Sequence, residues 1–190
     1  KYPLVKNGKP SKDYVVVATT RPETMLGDTA VAVNPKDRRY KNLVGKTALL
    51  PLVNREIPII ADSLVDPKFG TGALKITPAH SLVDYQIGLK HGLEMVQVID
   101  EEAKITREAP RIYRGLNVEE ARKRILKDLE KKGFLVKKED YIHKIPRCYR
   151  CGTVVEVILS RQWFLKMNKL AKLAIDSLEK GKVRFHPPRW

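Results

Sequence analysis

The sequence predicts an α+β fold, strands first and helices after. Short β-branched runs broken by turn residues fill residues 1–110, helical periodicity follows, and nine of the twelve prolines lie in the first part. Residues 14–18 (Tyr-Val-Val-Val-Ala) suit a buried strand, and residues 30–33 form a second, closed by Asn34-Pro35. Residues 49–53 and 57–60 flank Asn54-Arg55-Glu56, a candidate hairpin loop. Pro51 and Pro58 then belong at edges or bulges, because proline offers no ladder donor. Residues 73–77 and 95–99 add two strands, and between them residues 81–91 read as a helix stopped by Gly92. Asn117-Val118-Glu119-Glu120 is a capping-box start, with Asn117 as N-cap and Glu120 reaching back. Val118, Ala121, Ile125 and Leu129 form the apolar stripe of that helix, and Gly133 ends it. A last helix is expected over 162–180, ending at Gly181.

The chain has 190 residues, 43% of them hydrophobic, enough to bury a core and too many for a disordered segment. No apolar run approaches the roughly 20 residues of a membrane span. Two cysteines in a single C-x-x-C cannot staple a secreted scaffold, which points to a reducing, cytoplasmic setting. The chain opens Lys1-Tyr2-Pro3, with no initiator Met and no signal peptide, and reads as excised from a longer protein. The formal charge of +15 is unevenly spread: residues 1–110 carry a net +3, residues 111–190 a net +12. Such a split suggests a basic face for a polyanion, with nucleic acid the default partner.

Two stretches are richer in polar turn residues than a scaffold needs. The first, Thr19-Thr20-Arg21-Pro22-Glu23-Thr24-Met25-Leu26-Gly27-Asp28-Thr29, follows a strand and can present hydroxyls and a guanidinium to one cleft. The second runs Phe69-Gly70-Thr71-Gly72-Ala73-Leu74-Lys75-Ile76-Thr77-Pro78-Ala79-His80, then Ser81 and Asp84. Strand alternation puts Lys75 and Thr77 on one face, and helical spacing lets His80 and Asp84 share another. Taken alone, Gly70-Thr71-Gly72 is an ordinary turn and His80 an ordinary hydrogen-bonded residue. No Ser-His-Asp order and no metal-spaced His/Asp/Glu cluster is present.

Together, and in this order, residues 19–33 and 69–84 resemble the editing domain of valyl-tRNA synthetases. This is the connective-peptide insertion of a class I aminoacyl-tRNA synthetase, here of bacterial type. Residues 62–69, 88–93, 147–153 and 160–167 continue the likeness over nearly the whole chain, and Glu23-Thr24-Met25-Leu26-Gly27-Asp28 reads as the valyl version. The resemblance implies a β-barrel core with peripheral helices. It divides the chain into an editing domain at 1–146 and, at 147–190, a Cys-containing return segment with a C-terminal helix leading toward a catalytic domain outside the chain. It also implies hydrolysis of Thr-tRNA(Val), with Thr-adenylate as a second substrate. The family's need is established: a pocket built for valine rejects the nearly isosteric threonine by only about a hundredfold.

The implied roles follow residue by residue. Asp84 falls on the aspartate that anchors the α-ammonium. Lys75 and Thr77 join it as the catalytic set, facing the substrate's polar groups. Arg21 serves the pocket or the terminal adenosine, Thr20 and Thr24 shape side-chain selection, Phe69 packs against adenine or the acyl group, and His80 and Ser81 complete the binding set. No general base stands out, so a positioned water is expected. One departure matters: the family usually places a second aspartate directly after the histidine, where this chain has Ser81. Loss of that carboxylate leaves open a tRNA-binding module with weakened hydrolysis, and isoleucyl or leucyl editing is a further alternative. Cys148 and Cys151 form half a zinc ribbon by spacing, and His143 is a conceivable third ligand. Editing itself requires no cofactor, zinc would need ligands from outside the chain, and ATP belongs only to the full synthetase. The expected partners are the tRNA(Val) 3′ end carrying threonine and the remaining synthetase domains. No membrane is involved, and the fragment is expected to be a monomer.

Overall fold

Asn7 and Gly8 both take positive φ, 52° and 70°, as a two-residue hairpin turn demands. They join β1 (Tyr2–Lys6) to β2 (Lys9–Val15), with Lys6 opposite Lys9. The strand expected at 14–18 therefore starts earlier and stops at Val15. Beyond it, the Val16 carbonyl accepts from Thr71 Oγ1 at 2.7 Å instead of from a neighbouring strand. Lysines and Pro10 on the outermost strand guard it against edge pairing.

In this computed structural model, which describes residues 1–187 and 189, β3 is Ala30–Val33, β4 Thr47–Leu50, β5 Arg55–Ala61 and β6 Ala73–Ile76. The six strands form one mixed sheet in the order β2-β1-β4-β5-β3-β6, with β3 and β5 parallel. The hairpin loop after β4 is residues 51–54, earlier than expected, with Leu52 and Asn54 at positive φ. Pro58 sits where β5 changes partner: residues up to 58 pair with β4, and Ile59 onward with β3. A residue without an N–H fits that switch. The α+β class stands, and the barrel-like sheet is open, because its edge strands β2 and β6 do not pair. Gly70 brings those two ends close: a Cβ there would lie 2.7 Å from that of Ala18.

Residues 95–99 form no strand. Their side chains Val96, Val98 and Ile99 are buried, but the Val98 and Ile99 N–H groups donate to His80 Nε2 at 2.9 and 3.3 Å. A side chain has taken the donors a ladder would use, leaving only an isolated bridge from Ile99 to Ile105.

Helix α1 (Leu82–His91) has Ser81 as N-cap and Gly92 in the left-handed conformation after it. Its C-terminal end is tied to the end of β5 by Asp62, which accepts from Lys90 Nζ at 2.9 Å, His91 Nε2 at 2.8 Å and the Leu64 N–H at 2.9 Å. Burial pushes the Asp62 carboxyl up, but these donors outweigh it and hold its pKa at about 2. Helix α2 (Val118–Lys131) is capped by Asn117, which accepts from the Glu120 N–H at 2.9 Å, and buries Ala121, Ile125 and Leu129 in the main core. Helix α3 is Asn168–Glu179, shorter than the expected 162–180, and buries no residue. The chain divides into two units, Lys1–Leu159 and Ser160–Trp190, with α3 in the second. Among the described residues no helix is long and apolar enough to cross a membrane.

Candidate functional site

The polar stretch after β2 is not an open loop. Pro22–Gly27 forms a 3-10 turn with every residue buried, starting on Pro22, whose fixed φ and missing N–H suit a helix start. The turn delivers Thr24 and then Asp28 to the face of β6 that carries Lys75. Lys75 Nζ lies 2.9 Å from Thr24 Oγ1, 2.7 Å from Thr77 Oγ1 and 3.2 Å from Asp28 Oδ1. These three acceptors match the three ammonium protons. Thr77 in turn donates its hydroxyl proton to Asp28 Oδ1 at 2.5 Å and its backbone N–H to Asp84 Oδ2 at 2.8 Å. Asp28 Oδ2 accepts from Tyr2 Oη at 2.6 Å. Thr24, Lys75, Thr77 and Asp84 thus sit in one buried hydrogen-bonded cluster, with Asp28 and Tyr2 behind it.

Burial raises the Asp84 carboxyl above its usual range, against the Thr77 N–H, the Lys75 charge and Ser81. Burial raises Asp28 too, opposed by Lys75, Thr77 and Tyr2. Ser81 has a definite local job: its Oγ accepts from the Asp84 N–H at 3.3 Å as the N-cap of α1. Serine and aspartate are both good N-caps, so serine at this position keeps the helix start that orients Asp84.

Arg21 and His80 flank the cluster and are heavily engaged. Arg21 donates to Glu23 at 3.2 Å, to the His80 carbonyl at 3.1 Å and to Glu156. Glu23, fully buried, also receives Arg122 of α2 through two bonds of 2.9 and 3.0 Å. His80 Nε2 accepts from backbone N–H groups, so it carries no proton; Nδ1 must then donate to the Val157 carbonyl, 2.9 Å away. Burial pulls the His80 pKa from 6.5 to about 4, with the Val157 carbonyl opposing and the Arg21 and Lys75 charges reinforcing, and the ring stays neutral. Thr20 and Phe69 lie outside the cluster, both exposed; the Phe69 ring meets Tyr141 edge-on at 6.4 Å.

The sequence reading missed Tyr2, Asp28, Glu156 and Arg122. Asp28 lies inside the first polar stretch, where a carboxylate next to a strand was signal enough. Tyr2 carries no such mark, since only the folded sheet brings it to a partner 26 residues away.

Cys148 and Cys151 sit on a tight turn in which Cys148 N–H donates to the Thr153 carbonyl at 2.8 Å and Gly152 takes φ of 72°. Hydrogen bonds from Thr153, and then from Cys148, lower the Cys151 thiol to about 7. The turn suits half of a tetrahedral thiolate site. Among the described residues, though, no group of three or more His, Cys, Asp and Glu is placed to hold a metal, and the His143 ring stacks on Tyr141 at 5.8 Å.

Comparison with known proteins agrees with this layout. Residues 39–130 match the family model described as the editing domain of leucyl-tRNA synthetase. Over its full length the chain is 58% identical to the valine–tRNA ligase of Thermotoga maritima and 56% identical to that of Petrotoga mobilis. The chain belongs to the valyl-tRNA synthetase editing-domain family. It spans about a fifth (21%) of the length of those relatives. A leucyl-tRNA synthetase of Agrobacterium radiobacter K84, solved in a ternary complex with tRNA and LeuAMS, shares the fold. That match has a TM-score of 0.57 at 20% identity, over 82% of this chain and 23% of that one. The valyl-type motif at residues 23–28 is therefore the buried 3-10 turn that brings Thr24 and Asp28 to Lys75.

Proposed function

We propose that the chain hydrolyses mischarged Thr-tRNA(Val) within a valyl-tRNA synthetase, with Thr-adenylate as a second substrate. The observation that supports this best is the cluster itself: the Lys75 ammonium within hydrogen-bond reach of two threonine hydroxyls, and the buried Asp84 carboxylate held by the Thr77 N–H. On this reading Asp84 pairs with the α-ammonium of the threonyl group, in surroundings where a charge-assisted bond is strong. Lys75, its protons already directed to three acceptors, acts as a fixed positive charge near the carbonyl where negative charge develops. Thr24 and Thr77 supply polar partners that a valyl side chain cannot use and a threonyl hydroxyl can.

A water positioned over the ester adds to the carbonyl carbon, and the bond to the terminal ribose oxygen breaks. The water's second proton goes to that oxygen, giving threonine and a free tRNA 3′ end. On this reading Arg21 serves the pocket or the terminal adenosine, and the exposed Phe69 packs against adenine or the acyl group. The reading carries its partners with it: tRNA(Val), the other synthetase domains, ATP for those domains only, a cytoplasmic setting, and zinc at Cys148 and Cys151 only with ligands from outside the chain.

Asp84→Ala should abolish hydrolysis of preformed Thr-tRNA(Val), and Asp84→Asn, which keeps an acceptor for the Thr77 N–H, should lose about 10²-fold or more. Near-normal deacylation by Asp84→Asn in a folded chain contradicts the ammonium-anchor role. Comparing threonyl, valyl and methionyl esters separates the valyl reading from isoleucyl or leucyl editing.

A further inference from the structure

We propose that Glu156 is a positioning residue for this site: its carboxylate, brought in by the return segment, fixes the Arg21 guanidinium as a donor to the terminal adenosine. The proposal rests on the editing function proposed above. It adds a residue that lies outside both polar stretches of the sequence, 135 positions from Arg21.

The backbone of Arg21 is already fixed to the cluster. Its carbonyl accepts the Thr24 hydroxyl proton at 3.1 Å, and the same Thr24 oxygen accepts from Lys75 Nζ. The side chain, 29% exposed, is the part that could still swing into solvent. A guanidinium offers five N–H groups in one rigid plane, so acceptors on different nitrogens set its orientation. Here Glu23 takes Nε at 3.2 Å, the His80 carbonyl takes Nη1 at 3.1 Å, and Glu156 takes Nη2. Two N–H groups, one on each Nη, keep no acceptor among the described residues and are left for a ligand.

Glu23 cannot do this alone. It is fully buried and is shared with Arg122, so one carboxylate faces two guanidinia. Glu156 completes the chain Arg122–Glu23–Arg21–Glu156, in which two carboxylates offset two guanidinium charges. That balance suits donation to an uncharged nucleoside better than capture of a phosphate. Glu156 is also well placed to hold a partner still. The Val155 N–H before it donates to the Pro146 carbonyl at 3.0 Å, and the Val157 carbonyl after it accepts from His80 Nδ1 at 2.9 Å. A purely structural purpose explains the carboxylate poorly: these two bonds already fasten the segment, and an ion pair whose partners are 29% and 17% exposed adds little to stability.

Glu156→Ala leaves both backbone bonds of the segment in place. KM for Thr-tRNA(Val) deacylation should rise about tenfold while kcat stays within about threefold, because Asp84 and Lys75 are untouched. Binding of a non-hydrolysable threonyl-adenosine analogue without phosphates, a readout that needs no turnover, should weaken by the same factor. A double-mutant cycle with Arg21→Lys, which lacks the planar fork, shows whether Glu156 acts through Arg21. On that background Glu156→Ala should cost less than about twofold. The full loss on the Arg21→Lys background, which a merely structural role would give, overturns the proposal. Unchanged KM in Glu156→Ala overturns it too, and so does a loss seen with the tRNA but not with the analogue. Failure of the wild-type chain both to hydrolyse the ester and to bind the analogue would instead remove the functional reading, and the positioning role with it.

Discussion

His80 shows how much of this site is held by a residue that does no chemistry. Its ring satisfies two backbone N–H groups and one carbonyl, all from segments far from it in sequence. His80→Ala would leave those groups buried without partners, at a cost of about 3 kcal/mol in chemical denaturation. The ring also makes stability depend on pH. Its folded pKa of about 4 lies below the ordinary 6.5, so protonation favours the unfolded chain. The stabilisation is complete above pH 6.5 and is lost as pH falls toward 4, amounting to ~3 kcal/mol. Asp62, held at about 2 instead of 3.8, adds a second loss in the lower window. Denaturation of wild type between pH 7 and 4 should show the first loss. His80→Ala should be flatter over that interval, and an equal slope in both would show that the ring titrates normally.

At the scale of elements, α1 is the part that must be placed most tightly, because it carries Asp84 against the Thr77 backbone. Gly88, one helical turn beyond Asp84, makes that approach work: a Cβ there would lie 2.8 Å from the Pro78 ring. Gly88→Ala gains about 1 kcal/mol in helix propensity but forces a contact that costs about 1–3 kcal/mol. The account expects a net loss of stability and, as α1 is pushed off Thr77, about tenfold lower deacylation. A Gly88→Ala variant as active as wild type would show that α1 can shift freely. The same helix was fully legible in the sequence, because Ser81, Gly92 and the spacing between them are local signals. The first hairpin went unread although Asn7-Gly8 is a strong turn pair, because the polar β2 hid it behind the more hydrophobic residues 14–18. Residues 95–99 read as a strand and are not one, because pattern records burial and cannot record that His80 takes the backbone donors. The site divides along the same line. Lys75 and Thr77 follow from alternation along one strand, whereas Tyr2 joins them only through the order of strands in the sheet.

For the molecule as a whole, charge and chemistry are separated. The buried cluster belongs to residues 1–110, with a net charge of +3, while residues 111–190 carry +12, of which α2 holds only +1 and residues 160–190 hold +6. Arg122 of α2 reaches into the fold to grip Glu23, and its basic neighbours along the helix remain outside. Binding of a polyanion to such a face should weaken steeply with salt through counterion release, and a small threonyl-adenosine analogue without phosphates should be nearly indifferent. Titrating both ligands against this chain over about a fourfold range of salt, from roughly 50 to 200 mM, checks the division; equal salt dependence would place the analogue on the basic face. The central claim is that the buried cluster selects and cleaves a threonyl ester. The most direct measurement is deacylation of Thr-tRNA(Val) beside Val-tRNA(Val) by the same preparation of this chain. The account predicts rapid release of threonine and little release of valine. Binding of both without release of either, or equal release of the two, would contradict it.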